Sequence, residues 1–152
     1  LISVIYYDTK QNKIFEKNIN ELQFDYRKGF QKNNTIILYG KFKITYRNQD
    51  YIKSLMKEYD IIRKQSQPQK VNCCGSIFKN PKNQSAWRLI KSSIDESFYN
   101  GPIKLSRKHS NFFENEPNIS ANNIDLFISK IQKRVKNKHK VMLEKELRII
   151  DW

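Results

Sequence analysis

The chain has 152 residues, enough to bury a core in one domain or two small ones, and hydrophobic residues make up 38% of it, which excludes wholesale disorder. No apolar run approaches the ~18–20 residues of a membrane-spanning helix, so no membrane partner is expected. The formal net charge of +14 invites a nucleic-acid reading, yet the cations are scattered among Asn and Gln instead of being gathered into one block.

In chain order, residues 1–7 alternate and are rich in β-branched and aromatic side chains, which predicts a strand. Asp8 to Asn12 makes a polar turn, and Lys13-Ile14-Phe15-Glu16 a second short strand. Asn18 to Leu22 reads as a helical turn, and Phe24 to Phe30 as a loop carrying Arg27. Thr35 to Thr45 alternates again as a long strand, with Gly40 as a candidate bulge. Near residue 47 the period changes. Ile52, Leu55, Tyr59 and Ile62 fall at helical spacing, so 49–64 is an amphipathic helix. Gln65 to Asn72, with Pro68, is a polar connector. Ser85 to Ser93 is a short helix, Ile94 to Gly101 is irregular, and 103–105 and 111–113 read as short strands. Ser120 is a good N-cap for a helix through about Lys138, whose face of Ile124, Phe127, Ile128, Ile131 and Val135 is core. Its basic end, Lys133 to Lys140, complements the helix dipole; a solvated face and an anion-binding patch both fit it. Val141 to Ile150 closes as a strand.

The two cysteines, Cys73 and Cys74, are adjacent, and no Cys or His cluster has metal-ligand spacing, so no metal is expected. A reduced, cytoplasmic compartment follows as the simplest expectation. The opening Leu1-Ile2-Ser3-Val4 is already strand-like and has no initiating Met, which suggests a piece of something longer.

The most informative stretch is Gly75-Ser76-Ile77-Phe78-Lys79-Asn80-Pro81. Gly75 permits a tight turn or close approach of a ligand, Ser76 offers a hydroxyl, and Ile77 and Phe78 can anchor the loop. Lys79 and Asn80 can present donors to an anion. A plain strand ending in an Asn-Pro turn has the same composition. The stretch is similar to the Gly-Ser-x-Phe-Lys-Asn-Pro signature of the UDP-N-acetylenolpyruvoylglucosamine reductase (UDP-N-acetylmuramate dehydrogenase) family. Three further segments, in the right order, resemble the same family. Phe24-Asp25-Tyr26-Arg27 is similar to its Phe-Gly-Tyr-Arg, and Ser106-Arg107-Lys108-His109-Ser110-Asn111-Phe112 to its Ser-Glu-Lys-His-Ala-Asn-Phe. Leu143-Glu144-Lys145-Glu146-Leu147-Arg148-Ile149-Ile150 is similar to its Leu-Glu-Pro-Glu-Val-Arg-Ile-Ile.

The resemblance implies an α+β fold: the tail of a flavin-binding α+β domain (1–47), a small α+β substrate-binding domain (48–140) and a closing C-terminal strand (141–152). It implies a flavin-dependent reductase of peptidoglycan precursor synthesis that uses FAD, takes NADPH as co-substrate, and converts UDP-N-acetylglucosamine enolpyruvate to UDP-N-acetylmuramate. Three positions would be catalytic. Arg27 matches the arginine that holds the substrate carboxylate, a task suited to a permanently charged fork. Ser76 matches the serine that delivers a proton to the substrate carbon, and Glu146 the glutamate beside the arginine. In a strand, Glu144 and Glu146 share a face, so spacing alone leaves both open; the motif's register selects Glu146. Tyr26, Lys79 and Asn80 match positions near the substrate, with Asn80 the better diphosphate contact, while His109 is expected to be structural.

Some residues depart from the pattern. Asp25 replaces a glycine, Cys74 an alanine and Lys145 a proline, and 97–104 lacks the usual glycine pair. The four glycines, at 29, 40, 75 and 101, are too far apart for the clustered loop that a flavin pyrophosphate needs. In the resembled family that loop lies N-terminal to everything in this chain, so the resemblance implies as partners a nucleotide-sugar substrate and a missing N-terminal FAD-binding part; no nucleic acid is expected. The alternative that the charge supports is a basic nucleic-acid-binding module.

Overall fold

A computed structural model describes residues 1–30, 33–69 and 71–150. Lys70 of the predicted connector and the last two residues of the predicted closing strand lie outside them. The chain mixes strands and helices, as an α+β fold does, and divides into two units, Leu1–Tyr51 and Ile52–Trp152.

The first unit is a three-stranded antiparallel sheet. Strands β1 (Ser3–Asp8), β2 (Lys13–Asn18) and β3 (Thr35–Lys41) lie in the order β2-β1-β3. Val4 and Tyr6, alternate residues on one face of β1, are buried together with Leu22. Tyr6 stands opposite Phe15 in the register and stacks on it at 5.7 Å, while Phe30 meets it edge-on at 5.0 Å. Each such ring pair contributes about 0.5–1.5 kcal/mol beyond the area it buries. One carboxylate ties all three strands: Ser3 Oγ donates to Glu16 Oε1 at 2.6 Å and Lys41 Nζ at 2.7 Å. The Lys41 hydrogen bond, then that of Ser3, holds the Glu16 carboxyl below its ordinary range.

The strand predicted over 35–45 stops at Lys41, and residues 42–48 have no regular structure. Ser3 opposite Lys41 is the last pair, and Ile2 N–H to Lys41 O at 2.7 Å closes the ladder, so β1 offers no further partner. The register passes from Ile5–Tyr39 to Tyr6–Ile37, which puts the extra residue at Leu38 and not at Gly40. At Gly40 a Cβ would stand 3.0 Å from the exposed Phe42 ring, which would have to give by a few tenths of an ångström.

The division between the units falls within the first turn of α1 (Gln49–Ser66), where Asn48 Oδ1 accepts from the Asp50 N–H at 2.8 Å. None of its residues is buried, and Ile52, Tyr59 and Ile62, which their spacing marks for burial, stay exposed. The second unit contains α2 (Ala86–Ser93), the antiparallel pair β4 (Ile103–Leu105) and β5 (Phe113–Asn115), and α3 (Ala121–His139). Their apolar faces meet in one core: Ile77, Phe78, Ile90, Leu105, Ile128, Ile131, Val135 and Leu143 are at most 1% exposed. Ser120 caps α3 as predicted, accepting from the Asn123 N–H at 3.2 Å. The strand predicted at 111–113 begins only at Phe113, because Asn111 bonds elsewhere and the Phe112 N–H turns back to His109 O at 2.9 Å. The segment predicted irregular at 94–101 contains a short 3-10 turn, Glu96–Tyr99.

The closing segment corrects a larger expectation. Over 141–150 there is no strand, only a single antiparallel bridge between Lys145 and Phe78. Alternation of side chains predicts an extended backbone but not the length of the partner that pairs with it. Here the partner is the short stretch 77–79. Leu143 is nonetheless fully buried, and Gln132 Nε2 donates to its carbonyl at 2.8 Å.

Candidate active site

The second unit builds its site on the loop that follows Gly75. That glycine has φ +85°, a conformation L side chains rarely adopt, and it sends the chain inward. Ile77 and Phe78 then plug the core, at 0% and 1% exposure, which leaves Ser76 half-buried at the rim. Around the Phe78–Lys145 bridge, the Lys79 N–H donates to Glu144 O at 2.9 Å and the Glu146 N–H to Ile77 O at 2.8 Å. These two bonds fix Glu146 beside the residue that follows Ser76. Residues nearly seventy positions apart in sequence are thereby held in register.

The two glutamates on this ladder sit in different surroundings. Glu144 is ion-paired with Lys79 and largely exposed, whereas Glu146 is half-buried. Asn80 Oδ1 accepts from the Ala86 N–H at 2.9 Å, so its amide also fastens the start of α2. Next to it lies a cavity of about 610 Å³ whose lining includes Asn80, Asn83, Gln84, Ser85 and Arg88. These are amide, hydroxyl and guanidinium donors suited to an anionic or amide-bearing ligand.

Tyr26 and Arg27 belong to the first unit. They occupy the tip of a turn closed by reciprocal backbone bonds between Asp25 and Lys28, of 3.1 and 2.9 Å. Arg27 has φ +58°, and its guanidinium carbon lies 5.3 Å from the centre of the Tyr26 ring. Both side chains are exposed. The second unit thus gathers Ser76, Lys79, Asn80 and Glu146 on two joined segments, and the first presents Tyr26 and Arg27 on one turn.

His109 packs between the rings of Trp87, at 6.1 Å, and Phe112, at 4.8 Å, and burial lowers its pKa below the ordinary 6.5. Desolvation raises the Cys74 thiol, the opposite of what activates a nucleophile. Among the described residues no group of three or more His, Cys, Asp or Glu could hold a metal, and no helix is long and apolar enough to cross a membrane. Sequence reading missed Asn111. Its signal was a lone amide between His109 and two phenylalanines, in a stretch that buries 110–113.

Comparison with known proteins defines the class first. A model of a reductase's C-terminal domain, "UDP-N-acetylenolpyruvoylglucosamine reductase, C-terminal domain", matches residues 67–150. The chain belongs to the UDP-N-acetylenolpyruvoylglucosamine reductase family. Curated relatives of that name include one from Pelagibacter ubique, 33% identical over 144 residues, covering 93% of this chain and 48% of the relative. Another, from Bacillus cereus, is 36% identical over 129 residues, covering 84% of this chain and 42% of the relative. The crystal structure of the reductase MurB from Thermus caldophilus is similar with a TM-score of 0.77 and 27% identity, covering 97% of this chain and 52% of that one. The chain spans about half the length of the curated relatives it matches.

Proposed function

We propose that this chain forms the substrate side of a reductase that converts UDP-N-acetylglucosamine enolpyruvate to UDP-N-acetylmuramate in peptidoglycan precursor synthesis. The observation that carries this reading is the ladder that sets Glu146 against the Ser76 loop, because it puts a hydroxyl and a carboxylate on neighbouring backbone segments. Ser76 supplies the proton at the carbon next to the one that receives hydride. An unaided serine is a weak acid, so a neighbouring cation or a water relay must lower the cost of its ionisation. Glu146 stabilises the enol-like intermediate that develops during reduction, and the Arg27 guanidinium is a fork suited to bidentate binding of a carboxylate. Asn80 and Lys79 contribute donors toward the diphosphate, and Tyr26 an aromatic wall beside Arg27.

FAD, with NADPH as the co-substrate that reduces it, is the cofactor that family membership suggests. The residues of this chain do not fit its pyrophosphate. Glycines 75 and 101 are the glycines with positive φ, they lie far apart in sequence, and no glycine cluster offers adjacent backbone N–H groups to phosphates. The steps assigned here are accordingly those of substrate binding, protonation and charge stabilisation. The test is Ser76→Ala in flavin-loaded enzyme containing this chain. Stopped-flow measurement should show reduction of the enolpyruvyl substrate slowed at least about a hundredfold, the usual scale of general acid catalysis, with reduction by NADPH unchanged. Equal slowing of both half-reactions would remove Ser76 from the proton-donor role.

A further inference from the structure

We propose that Asn111 is a positioning residue for Ser76: its side-chain amide stands in for a missing strand and holds the Ser76 loop in register with Glu146. The Phe78–Lys145 bridge is made by the flanking residues, Lys79 with Glu144 and Glu146 with Ile77, and in an antiparallel pair of this non-hydrogen-bonded kind the central residue points its own N–H and C=O away from the partner strand. Phe78 is such a residue, and at a sheet edge its two backbone groups would be left without partners. Both are instead taken by one side chain. The Phe78 N–H donates to Asn111 Oδ1 at 3.0 Å, and Asn111 Nδ2 donates to Phe78 O at 2.8 Å. A third bond, Ile77 N–H to Asn111 O at 2.9 Å, engages the residue directly after Ser76.

Asn111 is 4% exposed and Phe78 1%, so these bonds form away from water, where an unsatisfied peptide group is costly. The site is specific to an asparagine. Aspartate supplies the acceptor but not the donor, and glutamine's extra methylene does not fit a pocket this closed. Asn111 is itself held, because its N–H donates to His109 Nδ1 at 3.3 Å and the neighbouring Ser106 N–H donates to Phe112 O at 2.8 Å. The short stretch 77–79 is therefore clamped on both edges, by the closing segment on one side and by one amide on the other. Ser76 lies between that clamp and the turn at Gly75, whose φ is +85°. Removing the amide leaves the core plug of Ile77 and Phe78 in place but frees the loop to slide against Glu146.

The geometric claim stands on these bonds alone; its consequence for catalysis rests on the proposed role of Ser76. The experiment measures amide hydrogen exchange by NMR in the 152-residue chain, comparing the wild type with Asn111→Ala and Asn111→Asp. In Asn111→Ala, the Phe78 and Glu146 amides should exchange at least about tenfold faster relative to Ile128 and Ile131 of α3, the scale of one lost buried hydrogen bond. Asn111→Asp keeps the acceptor but loses the donor to Phe78 O and buries a charge, so its Phe78 and Glu146 amides should likewise exchange at least about tenfold faster relative to α3. Should neither variant fold, the wild type decides: its Phe78 amide should be protected to within about tenfold of Ile128 and Ile131. Unchanged Phe78 and Glu146 rates in a folded variant, a rise only in step with the α3 amides, or a Phe78 amide unprotected in the wild type would each overturn the clamp. A parallel titration with UDP-N-acetylglucosamine enolpyruvate separates the two claims. If the wild-type amides of 76–80 do not respond to it while the variants behave as stated, the reductase reading fails and the clamp stands.

Discussion

Asn48, Asn80 and Asn111 each put a side-chain amide where a peptide group would otherwise stand. The first caps α1, the second receives the Ala86 N–H at the start of α2, and the third completes the edge of the Ser76 loop. In a sequence full of asparagine, such roles are hidden by abundance, and only burial distinguishes Asn111 from its exposed namesakes. The neighbouring histidine makes a measurable prediction. Burial between Trp87 and Phe112 lowers the His109 pKa below 6.5, so the unfolded chain takes up a proton before the folded one does. Its contribution to stability is therefore complete above pH 6.5 and is lost as the pH falls from there through the lower folded value. The urea midpoint of the chain should drop between pH 7.5 and 5.5, and His109→Gln should flatten that dependence. The lowered carboxyls of Glu16 and Asp95 act only in a more acid range, so they do not mask the effect.

Among the elements, α3 was the most legible in the sequence. Its cap, its length and its buried face of Ile128, Ile131 and Val135 all follow from a sustained 3.6-residue period that begins at a serine. Its far end falls at His139, one residue past the predicted Lys138, but the residue that caps it was not legible: Lys140 lies in the left-handed region with φ +60°, with its N–H donating to Lys136 O at 2.9 Å. A glycine usually occupies that position because it has no Cβ to strain. Lys140→Gly should therefore stabilise the second unit by about 1 kcal/mol, read as a higher urea midpoint with an unchanged slope. The closing segment taught the opposite lesson. Its alternation from Val141 onward looks like a strand, yet pairing needs a partner of equal length, and residues 77–79 supply only one bridge. The ordering of Ser76 next to Glu146 was readable only through motif similarity; the bonds that bring it about join Ile77 to Glu146 and Lys79 to Glu144 across a separation that no local pattern reports.

At the scale of the whole chain, the α+β class and family were readable because four short motifs fall in one order along the sequence. What the motifs could not report is how much apolar surface the elements leave uncovered. β3 lies at the edge of its sheet and exposes Ile36, Ile37, Leu38 and Tyr39 in succession, and Phe42 and Ile44 beyond it are exposed as well. An open edge of this kind can pair with the same edge of another copy. The excess of fourteen positive charges works against that encounter by mutual repulsion. Ionic strength should therefore decide the colloidal behaviour of the purified chain. The screening length shrinks from about 30 Å at 0.01 M salt to about 8 Å at 0.15 M, so light scattering should rise with added sodium chloride, and Leu38→Lys should suppress the rise. A protein expected to be safest in physiological buffer would, for this reason, keep best in dilute buffer.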